Sequence, residues 1–267
     1  MPELPELEVV RERLGPRLAG RTIEDVIVSR RFGFLLRTPP AELAGALRGT
    51  VITDFRRRGK FMTIDTGDRH VVINAMLGGR FLWTEAGARA TDSTLVRIVL
   101  DSGEELRLTD FARMARVYLA APDELDGVPG WAELGPEADA VEVDDWTRRI
   151  RRHPGELKNL LRNQAFVAGI GNAYSDEVLW EARFLPLRRR TTLKPPDIER
   201  LWAATRHVLT WAIEQIRAQP DYTSEKQNRG FLRVHMKGGE ACPRCGHRIG
   251  ELTARGEITN FCRGCQF

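Results

Sequence analysis

The chain contains 267 residues, of which 42% are hydrophobic and 29% are charged, so it is long enough for two or three units with cores of their own. No run of 18 or more apolar residues occurs, and the first residues lack the basic-then-apolar pattern of a secretory signal. We therefore expect a soluble, cytoplasmic protein with no membrane partner.

The net charge of +4 is unevenly distributed along the chain. Residues 121–145 hold nine acidic residues and no lysine or arginine, so the rest of the chain carries +13 (+4 plus 9). Such an excess of positive charge is typical of a protein that binds a polyanion such as nucleic acid. Charge alone leaves the alternative of an ordinary basic surface open.

The chain opens with MPELPELEVV, and apolar residues at helical spacing continue from there. This pattern predicts a helix from Pro5 to Ala19, with Pro5 in its first turn and Glu6 complementing the positive end of the helix dipole. Pro2 and Glu3 precede the predicted helix. Helix formation therefore does not account for them.

The residues that follow the first helix predict mainly β-structure. Short, partly alternating apolar segments are separated by Gly-Asp, Gly-Gly and Ser-Gly-Glu turns. They lie at residues 22–30, 50–55, 61–65, 70–75, 79–83, 95–100, 105–110 and 116–120. One leading helix with many short strands favours a sandwich or barrel over residues 1–120. The acidic stretch 121–145, which contains Pro and Gly, is predicted to be an interdomain linker.

The periodicity becomes helical after this linker. Four segments are predicted as helices, at residues 144–153, 155–164, 172–182 and 198–216. The third begins at Asn172, directly after Gly169 and Gly171, and a helix start with exposed amides is suited to binding phosphate. From spacing alone, an ordinary helix–helix connection remains the alternative.

All four cysteines lie in the last 26 residues, as the pairs Cys242/Cys245 and Cys262/Cys265 with sixteen residues between them. Two such pairs predict one structural zinc ion held by four thiolates in a tetrahedral site. Because four thiolates close the shell, His247 is predicted to be a surface residue. Basic residues surround the cysteines and are expected to face phosphate: Arg233, Lys237, Arg244, Arg248, Arg255 and Arg263.

Four separated motifs together resemble one known family. They are PELPE at the start, RRGK at 57–60, GIGNAYSDE at 169–177 and CPRCG…TNFCRGCQ at the end. In this order they are similar to the formamidopyrimidine/endonuclease-eight (Fpg/Nei) DNA glycosylases. The resemblance implies an α+β fold: an N-terminal helix plus β-sandwich domain (residues 1–120), a helix-two-turn-helix domain (146–235) and a C-terminal zinc finger (236–267). It also implies damaged double-stranded DNA as the partner, held between the halves.

The resemblance assigns chemical roles to the first residues. Once Met1 is removed, the nitrogen of Pro2 is expected to be the nucleophile and Glu3 the general acid and base. Glu6 matches a further carboxylate of the family that orients the N-terminus, and a simple helix-dipole role is its alternative.

The resemblance also implies contacts with the DNA backbone. Lys60 lies at the position of a hairpin lysine that contacts phosphate near the lesion, so it is expected to serve both catalysis and DNA binding. Its alternative is a solvated basic turn. Asn172 is expected to bind phosphate, and Lys158 is a weaker candidate for the same role.

Two loops depart from the family pattern at the residues that fill the gap left by a flipped nucleotide. The first loop usually reads HLxMxG and here is NAMLGG, which offers Leu77 or Met76 as the inserted side chain. The second usually reads DPRRFG and here is DFARMA, which offers Arg113 and Met114. The substituted loops suggest an altered preference for the opposite base.

The zinc finger departs from the pattern as well. The family arginine that grips phosphate is replaced by Glu257, and Arg255 lies two residues before it as the candidate substitute. The segment 217–229 is short compared with the loop that caps oxidised guanine in the Fpg branch, which favours the endonuclease-eight branch slightly.

We therefore predict a monomeric, bifunctional DNA glycosylase and abasic-site lyase that excises damaged, oxidised bases and carries one structural zinc ion. The principal alternative is a non-catalytic or weakly active DNA-binding paralogue of the same fold, because Glu257 and the altered loops weaken the expected clamp. A zinc-ribbon protein of transcription or translation is a third class, but it would require neither an exposed proline nor Glu3.

Overall fold

The computed structural model describes residues 1–219, 228–254 and 256–267. The chain divides into two compact units, Met1–Ala132 with Ile216–Gln227, and Glu133–Gln215 with Asn228–Phe267. The four-cysteine region at the C-terminus therefore belongs to the same unit as residues 133–215. No helix in the described ranges is both long and apolar enough to cross a membrane.

The first unit begins with helix α1 (Leu4–Leu18), which agrees with the predicted helix to within one residue at each end. Pro5 occupies the first turn, where its missing N–H leaves no hydrogen bond unmade. Leu7, Val10 and Leu14 follow at helical spacing and are buried. Their burial provides the hydrophobic free energy that attaches the helix, about 1.5–3 kcal/mol for each large apolar side chain.

Two four-stranded antiparallel sheets make up most of the first unit. The strands are β1 (Ile23–Val28), β2 (Asp54–Arg58), β3 (Phe61–Asp65), β4 (His70–Asn74), β5 (Gly79–Glu85), β6 (Thr94–Leu100), β7 (Glu104–Asp110) and β8 (Arg116–Ala120). One sheet has the order β1-β6-β7-β5, and the other has the order β2-β3-β4-β8. This arrangement confirms the predicted sandwich.

The hydrophobic core of the sandwich lies between these sheets. Phe55 of one sheet and Phe81 of the other meet edge to face, with ring centroids 6.1 Å apart. A small apolar cavity beside them is lined from both sheets, by Val71, Ile73, Phe81, Val96, Ile98, Leu106, Leu108 and Val117. Antiparallel sheets stacked in this way bury the two faces that point at each other.

Two elements of the first unit differ from the prediction. Helix α2 (Pro40–Leu47) was not predicted. Pro40 starts the helix, and Leu43 and Leu47 bury its inner face. The strand predicted at residues 50–55 lies further along the chain and is β2. It forms a hairpin with β3 that turns at residues 59–60, so the pairing of the two strands extends through Arg58.

The second unit is built mainly from helices. These are α3 (Val143–Ile150), α4 (Leu157–Arg162), α5 (Asn172–Glu181) and α6 (Pro195–Arg217, whose end passes into the first unit). All four were predicted, and α5 is buried on nearly every side, including Ser175, Asp176 and Glu177. The C-terminal hairpin adds β9 (Gly250–Ala254) and β10 (Glu257–Phe261), which sequence periodicity did not predict.

Candidate active site and metal centre

The two residues that helix formation does not explain lie buried at the start of α1. Pro2 and Glu3 immediately precede the helix, and the Glu3 backbone N–H donates to the Glu6 carboxylate at 2.9 Å. The Glu3 carbonyl accepts the N–H of Leu7 at 3.1 Å, as the first turn of a helix requires. Glu6 therefore fixes the backbone next to Pro2. Met1 precedes Pro2 and makes its nitrogen an amide.

Lys60 lies half-buried in the two-residue turn between β2 and β3. Gly59 takes φ +56° there, a left-handed conformation that favours glycine at the first position of a tight hairpin turn. Arg57 of the same hairpin donates to Glu8 of α1 at 2.8 Å, and Arg11 donates to Glu8 as well. Burial alone would raise the pKa of the Glu8 carboxyl. The hydrogen bonds from Arg11 and Arg57 outweigh burial, so the pKa lies below its ordinary value. The Lys60 hairpin is thus anchored to the helix that follows Pro2.

The two loops expected to enter the DNA pack against each other. A Cβ atom on Gly78 would lie 2.1 Å from Asp110 Oδ1 and 2.5 Å from the Ala112 nitrogen, so only glycine fits. The buried Asp110 carboxylate accepts the backbone N–H groups of Ala112, Met114 and Ala115, at 3.0, 2.6 and 2.7 Å. One carboxylate therefore shapes the second loop and holds it beside the first.

Three large apolar side chains are exposed on these loops: Leu77 by 47%, Phe111 by 68% and Met114 by 39%. Met76 is half-buried, so Leu77 is the more exposed of the two predicted candidates in the first loop. Arg113 adopts φ +54°, with its guanidinium 5.5 Å from the centre of the Phe32 ring.

Sequence reasoning missed Phe111, whose ring lies 5.4 Å from the guanidinium of Arg80. The available signal was an aromatic residue placed directly after the last predicted residue of a strand, where the alternation of apolar and polar residues in the sequence stops. Exposed apolar side chains on a loop held by Asp110 are the type of group that inserts between bases or stacks on them.

Asn172 is the first residue of α5, and its side chain is partly accessible. Its Nδ2 donates to the Ile258 carbonyl of β10 at 2.8 Å. Gln164, another residue that sequence reasoning missed, braces the preceding loop: its amide donates to the Ile170 carbonyl at 2.7 Å and accepts the Gly169 N–H at 3.0 Å. The start of α5 is therefore a rigid backbone turn.

Lys158 is buried, and its ammonium faces protein groups. Nζ lies 2.5 Å from Asp176 Oδ1 and 2.8 Å from the Thr259 hydroxyl. Burial lowers the pKa of Lys158, and Asp176 opposes that shift. The Asp176 Oδ2 atom lies 2.8 Å from His235 Nδ1 and accepts the Asn260 N–H at 3.2 Å. This ion pair joins α4 and α5 to the finger hairpin, and a direct phosphate contact for Lys158 stays a prediction.

Glu177 is a second buried carboxylate that sequence reasoning missed. It accepts the backbone N–H groups of Arg233, Val234 and His235 at 3.0, 2.8 and 2.9 Å, and so fixes the chain that enters the finger. Burial raises the pKa of Glu177 although these hydrogen bonds oppose the shift. Two adjacent carboxylates inside an apolar helix were the signal for this role.

Glu257, which replaces the expected finger arginine, pairs with Arg162 at the end of α4. Both side chains are partly exposed. Glu257 therefore has a cationic partner of its own, which sequence reasoning did not foresee. Arg255, the predicted substitute, lies outside the described residues.

The four cysteines converge at the C-terminus, and their Sγ atoms all lie within 4.8 Å of one another. A tetrahedral zinc site with Zn–S bonds of about 2.3 Å requires S···S distances of about 3.8 Å. The Cys242–Cys265 and Cys245–Cys262 separations are 3.8 and 3.4 Å. The cluster therefore fits one zinc ion, whereas His247 is exposed.

Burial and hydrogen bonding shift the pKa values of the cysteine thiols in different directions. Burial raises the pKa of Cys242, but hydrogen bonds from the Trp180 indole and from the backbone of Arg244 and Cys245 bring it down to about 6. Burial and the neighbouring Cys245 thiol raise the pKa of Cys262 to about 12. Metal binding would expel the remaining thiol protons, so the metal affinity should fall as the pH falls.

The chain was compared with known families, curated proteins and solved structures. Residues 1–117 match the formamidopyrimidine-DNA glycosylase N-terminal domain, and residues 134–221 match the H2TH domain of that glycosylase. The formamidopyrimidine-DNA glycosylase of Symbiobacterium thermophilum is 35% identical over 275 residues, covering all of this chain and 89% of that protein. The enzyme of the same name from Herpetosiphon aurantiacus is 33% identical over 279 residues, covering all of both chains.

Solved structures with the same fold include the Lactococcus lactis Fpg protein in complex with DNA containing an abasic site. Its TM-score is 0.90 at 26% identity, covering 99% of each chain. The complex of that protein with DNA containing FAPY-dG has a TM-score of 0.89, also at 26% identity and 99% coverage of each chain.

The chain therefore belongs to the formamidopyrimidine-DNA glycosylase family, a family of DNA-repair glycosylases. This result confirms the predicted resemblance and the predicted fold class, including the helix-two-turn-helix domain and a C-terminal four-cysteine cluster compatible with a zinc finger. The relatives described above carry the Fpg name, so the slight preference for the endonuclease-eight branch gains no support from them.

Replacing Lys158 tests the buried ion pair. Lys158→Met removes the cation that pairs with Oδ1 of the buried Asp176 carboxylate, so the free energy of unfolding should fall by about 3–5 kcal/mol in a urea titration. Lys237→Met is the matched control, because Lys237 makes a longer ion pair with Glu240 near the surface, at 3.6 Å. A loss no larger than in this control would contradict the structural role of Lys158.

Removing one thiolate tests the metal centre. The wild-type protein should contain one zinc ion per chain by elemental analysis, and Cys245→Ala should contain none, because three thiolates leave the shell open. The far-UV helical signal should largely persist, whereas DNA binding should be lost. His247→Ala is the control and should keep its zinc. A Cys245→Ala protein that retains both metal and DNA affinity would refute the assignment.

Proposed function

We propose that this protein is a bifunctional DNA glycosylase and abasic-site lyase that uses the nitrogen of Pro2 as its nucleophile. The observation that carries the proposal is the buried Pro2–Glu3 pair at the start of α1, with its backbone fixed by Glu6. Membership of a glycosylase family supplies the reaction class. The carboxylate next to the nitrogen supplies an acid and base for it.

The nitrogen of Pro2 becomes reactive only after Met1 is removed, because an amide nitrogen does not attack carbon. An α-amino group has a pKa of about 8, against about 10.4 for a lysine side chain. At neutral pH its free-base fraction is therefore roughly 200–300 times larger than that of lysine. The secondary amine of proline is somewhat more basic than this generic α-amino group, which reduces the advantage without removing it.

The first steps expel the damaged base. The Pro2 nitrogen forms a bond to C1′ of the damaged nucleotide, while the C1′–base bond breaks and its electron pair leaves with the base, which takes a proton from water. The proton left on the proline nitrogen passes to Glu3. Glu3 then protonates the sugar ring oxygen as the C1′–O4′ bond breaks, and the nitrogen lone pair completes an iminium ion.

The later steps cut the strand. The iminium cation acidifies the C2′ proton, which the Glu3 carboxylate, deprotonated in the previous step, accepts. The released electron pair forms the C2′=C3′ bond as the C3′–O bond breaks, so the 3′-phosphate leaves. Hydrolysis of the iminium returns the free Pro2 nitrogen. A secondary amine suits this sequence because its iminium is cationic without any added proton.

The remaining site residues are proposed to hold the DNA. Lys60 would neutralise a phosphate beside the lesion, and Asn172 would bind phosphate at the start of α5. Arg113, Met114 and Leu77 would fill the gap left by the extruded nucleotide. The bound zinc would hold the finger in shape and take no part in the chemistry, because four thiolates leave no open position.

The substrate class is proposed to be oxidised or ring-opened purines in double-stranded DNA. The Lactococcus lactis protein of the same fold has been described in complex with DNA containing FAPY-dG, a formamidopyrimidine lesion. Its likeness over nearly the whole chain supports a similar pocket for the base. We further propose that the protein acts as a cytoplasmic monomer.

Borohydride trapping tests the nucleophile. With Met1 shown by mass spectrometry to be absent, incubation with abasic-site DNA and borohydride should give a covalent protein–DNA adduct, because the iminium is reduced to a stable amine. A form with residues retained before Pro2 should give none. Failure of the processed protein to form an adduct would reject the lyase and favour a non-catalytic DNA-binding protein.

Glu3→Gln provides the matched control for this experiment. An abasic sugar is in equilibrium with its open-chain aldehyde, which the Pro2 nitrogen can attack without protonation of the ring oxygen by Glu3, so the adduct should still form. Excision of a damaged base should slow by about 10²–10⁴-fold, because proton transfer at the sugar is lost. Equal base excision by the variant and the wild type would remove Glu3 from the proposed acid and base role.

Glu257→Arg tests the altered phosphate clamp. The substitution adds a cation and frees Arg162, so DNA binding should tighten. The plot of log K against log salt concentration should also become steeper, by the slope that corresponds to about one additional phosphate contact or more. Glu240→Arg makes the same charge change on an exposed residue of the finger and serves as the control. Equal salt slopes in the two variants would show that position 257 does not face phosphate.

A further inference from the structure

Trp180, in the last turn of α5, packs directly on the cysteine cluster. Its indole N–H donates to Cys242 Sγ at 3.3 Å, and both residues are buried. Val234 and Ile249 surround this contact in one small core, to which Cys262 also belongs. The finger is therefore folded around the end of α5.

Arg244 also contacts Trp180 and the cysteine cluster. Its guanidinium lies 3.8 Å from the centre of the Trp180 ring, and its Nη1 lies 3.9 Å from Cys265 Sγ. Nη1 also donates to the Trp180 carbonyl at 2.6 Å, and Nη2 donates to Glu181 Oε2 at 3.1 Å. Four contacts thus hold one cation beside the sulfur atoms.

The net charge of the zinc–thiolate cluster explains why the Trp180 N–H and the Arg244 guanidinium would affect zinc binding. A zinc ion with four thiolates carries a net charge of −2, and burying that charge costs free energy unless nearby donors and cations compensate it. An N–H donor to sulfur and a guanidinium beside a second sulfur provide this compensation. The indole ring also restricts the orientation of the Cys242 side chain.

We propose that Trp180 and Arg244 are positioning residues for the metal, and that they set how tightly the finger retains zinc; this inference rests on the proposed four-cysteine zinc site. The same helix begins at Asn172, whose side chain holds β10 by its Ile258 carbonyl. Both ends of α5 are thus attached to the finger, and loss of zinc would disturb the helix that carries the proposed phosphate ligand.

Trp180→Phe tests the proposal with little loss of packing, because phenylalanine keeps an aromatic ring and removes the N–H. Transfer of zinc to a chromophoric chelator should become about 10–100-fold faster or more complete than in the wild type. Trp211→Phe is the matched control: its ring stacks on Arg233 at 4.1 Å, and among the described residues it donates to no cysteine. It should retain zinc as the wild type does.

Cobalt substitution gives a second readout, which altered packing alone would not move. Losing a hydrogen bond to the thiolate raises the energy of the sulfur lone pair, so the thiolate-to-cobalt charge-transfer band of Trp180→Phe should shift to lower energy. The band of Trp211→Phe should not shift. Equal zinc retention and equal cobalt spectra in the two variants would overturn the proposal.

Arg244→Gln is a second test of the proposal and can be used if Trp180→Phe does not fold. It leaves the indole N–H in place and removes the cation, so zinc transfer should again accelerate. Wild-type rates in this variant would overturn the role of Arg244. A wild-type protein that binds no zinc would overturn the inference together with the metal assignment, whereas the borohydride experiment would still report on Pro2 separately.

Discussion

The second unit depends on buried carboxylates within α5. Asp176 neutralises the buried Lys158, and Glu177 accepts three backbone N–H groups at the entrance to the finger. Buried charges are stable only when they are paired and hydrogen-bonded, so these contacts allow one arrangement of α4, α5 and the hairpin. The start of α5 is fixed as a consequence. The phosphate site proposed at this helix start would require such rigidity, because each amide must already point at its ligand.

The first unit must hold its proposed nucleophile in a fixed position, although this nitrogen belongs to the end of the chain. Chain termini usually move, yet a reacting atom must be held to a fraction of an ångström. Here α1 begins immediately after Glu3, Glu6 caps its first turn, and Arg57 joins the next hairpin to Glu8. The terminus is thereby attached to the sandwich within a few residues of its first atom.

The sequence predicted most of the fold because its signals were local. The spacing of leucines and valines identified α1, alternation identified the strands, and the two CxxC pairs identified the cysteine cluster. Helix α2 was missed because Pro39 and Pro40 are equally typical of a loop and of a helix start. What the sequence could not reveal were contacts between distant residues. Arg162 and Glu257 are 95 residues apart, and no periodicity relates them.

Lys158 shows the same limit within the site. The family resemblance made it a weaker candidate for a phosphate ligand, and nothing in the sequence indicated that the fold brings Asp176 to its ammonium. Phe111 shows the opposite case, an apolar residue that the fold exposes. It follows a buried strand, and its ring is exposed because it lies on the loop that Asp110 shapes. Burial and exposure at such points depend on tertiary packing, which single residues do not encode.

The amide between Met1 and Pro2 has one more consequence. If the proline nitrogen is the nucleophile, this single bond separates an inert chain from a reactive one, and N-terminal processing becomes the maturation step of the enzyme. The fold does not depend on this bond, because α1 starts two residues beyond it. Any residue left in front of Pro2 would act as a permanent protecting group on the proposed nucleophile.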